Sequence, residues 1–240
     1  MTSRDITQIT NGYNACEIER CPFPTGILKV NLNRLESNIL SLNRFANEQT
    51  GRNIKFLFPI KTNAYCSGMI PVAKFVELKK LCTYFGVACI QEAMDLRKNG
   101  IVTPILIMSQ SFCELTHLEY IARNDIEQAI SDKPLLHGLN AAAKKLSKNA
   151  KIHLDIDTGM GRCGALCKDV PALLEKIGEC KNIRLVGVMT HFSVADVDEP
   201  DAVKYTKKQI KLFNEIKNHV LEKFPHENII FHTSNSGGVI

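Results

Sequence analysis

No stretch of this 240-residue chain is apolar over anything near the roughly 20 residues that cross a bilayer, so the sequence offers no membrane-spanning helix and no membrane partner. Residues 1–14 are polar and lack the apolar core of a secretory leader, which points to a cytoplasmic protein. CxxC pairs are missing too. The nine cysteines (Cys16, Cys21, Cys66, Cys82, Cys89, Cys113, Cys163, Cys167 and Cys180) are irregularly spaced. Cys163 and Cys167 lie four apart, but no second pair or histidine follows at zinc spacing, so no metal site is expected. An odd thiol count without a leader suits a reducing compartment. Strong charge of one sign is absent: the net charge is +5, with lysines scattered along amphipathic stretches. That pattern reads as solvated helix faces and argues against a nucleic-acid partner. No Gly/Ser/Pro-rich linker divides the chain, which leaves a leader over 1–25 and a single domain over 26–240.

What is present is alternation. Short β-branched or apolar runs fall at 26–32, 55–61, 84–89, 105–108, 128–131, 151–157, 185–191 and 229–233. Several, such as FGVAC, PILIM and LVGVM, are apolar nearly throughout, as in strands buried on both faces of a parallel sheet. Helical periods lie between them. Residues 32–47 carry Leu35, Ile39, Leu42 and Phe45 at three- and four-residue steps. Residues 90–99 open with Gln91 and Glu92 and stop at Gly100. Residues 169–179 have Pro171 near their start. Residues 205–224 set Ile210, Phe213, Ile216, Val220 and Leu221 on one face and end at Pro225. Strand and helix repeated in this way predict an α/β fold with parallel strands, a (β/α)8 barrel ahead of a doubly wound sheet. In a barrel, chemistry belongs at the C-terminal ends of the strands.

Four strand ends carry reactive side chains. In KFLFPIKTNAYCSG, Lys61 leaves five residues that are all apolar or proline. A low-dielectric rim there disfavours the ammonium and favours an amine able to attack an aldehyde; the bland alternative is a surface lysine. Tyr65 follows, either a donor to an anion or a cap on the rim. In KIHLDIDTGMGRCG, Asp155 and Asp157 share one face, the two glycines of TGMG allow close backbone approach, and Arg162 follows. An Asp-capped turn with a surface arginine accounts for that stretch equally well. His191 ends the run RLVGVMTHF, where a lone histidine is more often structural. Asn235, Ser236, Gly237 and Gly238 form a small polar turn that opens a helix and can cradle phosphate.

The order of these segments resembles one family throughout. Lys61–Tyr65 (KxxxY), residues 92–108, 157–164 (DTGMGRxG), 187–192 (GVMTHF) and 232–238 (HTxNSGG), with VNLNRLESNI at 30–39, resemble the N-terminal barrel domain of alanine racemase, a fold-type III pyridoxal-phosphate (PLP) enzyme. The resemblance implies a (β/α)8 TIM-type barrel and interconversion of L- and D-alanine for peptidoglycan precursors. It implies Lys61 as the catalytic, Schiff-base lysine and one of two bases. Tyr65 would bind the cofactor phosphate, Arg162 its phenolic oxygen, and His191 would sit beside the ring. Ser236, with Asn235 beside it, would complete the phosphate cradle. Alanine is the implied substrate, and the family acts as a homodimer.

Two departures stand out. Many family members have a carbamylated lysine where this chain has Asp155, so Asp155 is expected to give Arg162 a fixed negative charge directly. The family pattern also continues past Ile240 with a last strand and a β-rich domain bearing the second base. On that reading the chain is truncated and incomplete as a barrel, with open sheet edges, weak activity or poor solubility. Three further readings remain: a non-catalytic single-barrel PLP protein, a split-gene remnant that joins a separately encoded C-terminal part, and a racemase of serine or another amino acid.

Overall fold

The computed structural model describes residues 28–110 and 114–239. They divide into two compact units, the first comprising the described residues up to Gly86 with Met94–Thr103, the second Val87–Ala93 and the residues from Pro104 onward.

In the first unit, helix α1 (Leu32–Thr50) begins at Asn31, whose side chain accepts the Arg34 N–H, and stops at Gly51 in the left-handed conformation. Leu28–Asn31 are exposed and irregular, so the strand expected over 26–32 is not formed there; residues 26 and 27 lie outside the described residues. Alternation alone could not show that Asn31 would serve as a helix cap. Strand β1 (Leu57–Pro59) pairs in parallel with β2 (Tyr84–Val87), and the Phe58 and Phe85 rings meet edge to face at 6.5 Å. Helix α2 (Met69–Leu78) covers the core with Val72, Ala73, Phe75 and Val76. Its Glu77 accepts both the Val102 and Thr103 N–H groups, which ties down the chain after α3 (Ile90–Lys98).

The second unit repeats strand and helix: β3 (Ile105–Ile107), α4 (Leu115–Arg123), β4 (Glu127–Ile130), α5 (Lys133–Lys145), β5 (Ala150–Asp157), β6 (Ala165–Leu166), α6 (Val170–Glu179), β7 (Ile183–Thr190), α7 (Pro200–Lys223) and β8 (Ile230–His232). The strands run in the order β3-β4-β5-β7-β8, with parallel pairing throughout. The two-residue β6 pairs in parallel with the end of β5 beyond the reach of β4. β3 and β4 are buried along their whole length; β3 is apolar throughout, whereas β4 buries Glu127 and Gln128 beside Ala129 and Ile130. A bulge in β7 shifts the register after Ile152, so that Gly187 rather than Val186 lies opposite His153.

Candidate active site

Lys61 lies two residues past the end of β1, after Ile60, and opens an unusual turn. Thr62, Asn63 and Ala64 have φ of 54, 54 and 52°, and Tyr65 and Cys66 continue at 52 and 67°. This is a left-handed helical turn built from L residues, a conformation that costs roughly 1–2 kcal/mol per residue. It is held by hydrogen bonds from Ala64 N to Ile60 O (2.8 Å), Cys66 N to Thr62 O (3.0 Å) and Gly68 N to Asn63 O (2.9 Å). The Asn63 side chain adds a bond from Met69 N at 2.7 Å. Strain kept at one spot by its surroundings is a mark of functional sites. Ile60 behind the lysine is fully buried, while Lys61 is half-buried and the Tyr65 ring is exposed. Neither the Lys61 amine nor the Tyr65 hydroxyl has a hydrogen-bond or ion-pair partner among the described residues.

At the end of β5, Asp157 accepts the N–H groups of Gly159 (2.9 Å) and Gly161 (3.0 Å) and so shapes the TGMG turn. Gly164 closes that turn with φ 100°, where an added Cβ would lie 2.5 Å from the Asp157 backbone nitrogen. Arg162 is thereby held out to solvent, and its guanidinium has no partner among the described residues. Asp155 points the same way along the strand but is 5% exposed. Burial, then repulsion from Asp157, raise its carboxyl to about 6, against a weaker pull downward from Arg162. The expectation of a charge paired directly to Arg162 is corrected: no ion pair forms between the two side chains, although the guanidinium still draws the buried carboxyl downward.

At the ends of β7 and β8, His191 is exposed and Ser236 heads the short helix Ser236–Val239. Asn235 caps that helix, accepting the Gly238 N–H at 2.9 Å, and donates to the Phe192 carbonyl at 3.3 Å. Its amide is thus engaged with protein at both ends. The Ser236 hydroxyl is not. Gly237 lets the turn approach Asp196, where a Cβ would sit 2.7 Å from the backbone. Within the second unit, the structure therefore places Arg162, His191, Asn235 and Ser236 on loops that leave the C-terminal ends of β5, β7 and β8.

The family model described as "Alanine racemase, N-terminal domain" matches residues 30–240. The chain belongs to that family. It is 36% identical over 211 residues to the alanine racemase of Treponema denticola, covering 88% of this chain and 54% of that protein. Among solved structures, alanine racemase of Clostridium difficile 630, in complex with cycloserine, is 29% identical with a TM-score of 0.74, over 85% of this chain and 54% of that one. The Bacillus anthracis alanine racemase, solved with bound L-Ala-P, is 29% identical with a TM-score of 0.75, over 88% and 52%. The chain thus spans about half the length of the relatives it matches. The parallel α/β pattern is that of the TIM-type barrel domain of the alanine racemases, as the sequence predicts.

This alanine racemase domain also holds a buried polar chain that its sequence did not advertise. His153 Nε2 lies 2.7 Å from Glu127 Oε2, and His153 Nδ1 lies 2.8 Å from His232 Nε2. The side chain of His153 reaches β8 by passing over Gly187 of β7, where a Cβ would meet the imidazole at 2.1 Å. Burial, then the neighbouring His153, push His232 well below its ordinary value, so it is neutral at pH 7. Only the alternation of His153 with Asp155 and Asp157 hinted at this, since its partners lie on other strands. Cys167 donates to the Asp157 carbonyl at 3.5 Å, and burial pushes its thiol up from the ordinary value. Among the described residues no cluster of three or more potential ligands is arranged to hold a metal ion, and no helix is long and apolar enough to cross a membrane.

Proposed function

We propose that this chain is the PLP-binding part of an amino-acid racemase acting on alanine, with Lys61 as the residue that carries the cofactor and moves the proton at the substrate Cα. The observation that carries this reading is a set of unused donors at the strand ends. An amine (Lys61), a guanidinium (Arg162) and two hydroxyls (Tyr65, Ser236) lack partners among the described residues, each on a turn shaped by its neighbours. That donor set suits an aldehyde-bearing, phenolic, phosphorylated ligand: an amine for covalent attachment, a cation for the phenolic oxygen and hydroxyls for the phosphate. Bound PLP supplies stabilisation of negative charge at Cα. Tyr65 and Ser236 bind the phosphate, with Asn235 holding the Ser236 turn. Arg162 orients the phenolic oxygen, and His191 lies beside the ring.

The test uses the full chain mixed with PLP, then reduced with borohydride and mapped by peptide mass. The wild type is expected to fix one pyridoxyl group on the Lys61 peptide and to exchange the alanine Cα hydrogen with deuterium oxide. Lys61→Ala should lose both the label and the exchange. A label spread over surface lysines, at equal level in the variant, would sink the reading.

A further inference from the structure

Gln209 is completely buried on α7, in the stripe that also holds Phe213, Ile216 and Val220. A fully buried amide is tolerated only when its polar atoms are satisfied. Here Nε2 donates to Thr158 Oγ1 at 3.1 Å and to the His191 carbonyl at 3.2 Å, and Oε1 accepts the Ser193 N–H at 3.1 Å. Thr158 begins the turn that ends in Arg162, while His191 and Ser193 begin the loop after β7. The donors run in one direction. Thr190 Oγ1 donates to the Ile156 carbonyl at 2.7 Å, so Thr158 must donate to Thr190 at 2.8 Å, which leaves Thr158 a lone pair for Gln209. Two further bonds join the same elements. Tyr205, one turn earlier on α7, donates to the Gly159 carbonyl at 2.6 Å, and Ser193 Oγ donates to that carbonyl at 3.3 Å.

We infer that Gln209 is a positioning residue: its buried amide locks the Arg162-bearing turn after β5 to the His191-bearing loop after β7, so both groups meet the ligand in one fixed arrangement. The inference rests on the reading of Arg162 and His191 as cofactor-binding groups. Its structural half, the locking of two loops, does not. An isosteric methionine removes all three bonds and leaves the helix face filled. Asparagine keeps the amide but falls one methylene short.

The experiment compares the wild-type full chain with Gln209→Met, Gln209→Asn and Val220→Ala, the last removing buried packing from α7 without touching either loop. Amide hydrogen exchange reads the lock directly. Gln209→Met should speed exchange at Gly159, Gly161 and Ser193 together by about 10-fold or more, the expected size for loss of buried hydrogen bonds. PLP titration by absorbance reads the consequence. Gln209→Met should weaken binding by a similar factor and shift the band of the bound form, with Gln209→Asn between it and the wild type. Val220→Ala should unfold at lower temperature with wild-type affinity, spectrum and loop exchange. Unchanged loop exchange in Gln209→Met overturns the proposal, as does equal loss of affinity in Val220→Ala. If the wild type takes up no PLP, the cofactor reading fails, and the exchange data still decide whether Gln209 couples the loops.

Discussion

A carboxyl buried beside a second carboxyl works against the fold that holds it, and Asp155 is in that position. Its folded value of about 6 stands above the 3.8 of an unperturbed aspartate, with burial the main cause. Below pH 3.8 the group is protonated in both folded and unfolded chains and contributes no difference. As pH rises from there to about 6, the unfolded chain gives up its proton first, so stability falls, and the full penalty applies above that range. A shift of this size corresponds to about 3 kcal/mol at most. Asp155→Asn is therefore predicted to raise the unfolding midpoint at pH 7.5 and to leave it nearly unchanged at pH 3.5. The check is thermal denaturation at the two pH values. An equal gain at both would mean that packing, not charge, governs the site. The same comparison bears on Arg162: if Asp155 were its essential counter-charge, the asparagine variant would gain nothing at neutral pH.

The elements show how far sequence alone reaches. The runs at 84–89, 105–108, 151–157 and 185–191 correspond to Tyr84–Val87, Ile105–Ile107, Ala150–Asp157 and Ile183–Thr190. The first two were legible because strands buried on both faces are apolar nearly throughout, and the last two because apolar residues recur along a short run bounded by turn signals. The run at 26–32 was not, because alternation does not say whether a ladder partner exists. On α7 the apolar period placed Ile210, Phe213, Ile216, Val220 and Leu221 on one face. Phe213, Ile216 and Val220 face inward as expected, but Ile210 and Leu221 are each 41% exposed and Gln209 takes the inner position. Tertiary contacts with the strand-end loops chose the stripe. Ile210→Lys is accordingly predicted to change stability by no more than about 0.5 kcal/mol, and Ile216→Ala to cost roughly 2–5 kcal/mol, measured by urea denaturation. Comparable losses in both would contradict this orientation. The site divides along the same line. Lys61, Arg162 and Ser236 were legible because each leaves a strand end within a local motif. Gln209 and the pair Glu127–His153 were not, since their partners are brought together only by folding.

For the whole molecule, the sharpest consequence comes from linkage between binding and folding. A ligand that binds only the folded chain stabilises it by about 2.7 kcal/mol when present at 100 times its dissociation constant. For a chain of this size, each kcal/mol moves the midpoint by about 2–4 °C, so PLP should raise it by roughly 5–10 °C. On the proposed reading, Lys61→Ala would remove the covalent link and Arg162→Ala the cation offered to the phenolic oxygen. Each is predicted to shrink the PLP-induced shift while leaving the ligand-free midpoint close to that of the wild type, because neither side chain has a partner among the described residues to lose. Differential scanning fluorimetry over a PLP concentration series measures both effects. A shift that vanishes in Lys61→Ala but stays intact in Arg162→Ala would show that the guanidinium takes no part in holding the ligand. The donor set would then have to be redrawn around Lys61, Tyr65 and Ser236 alone.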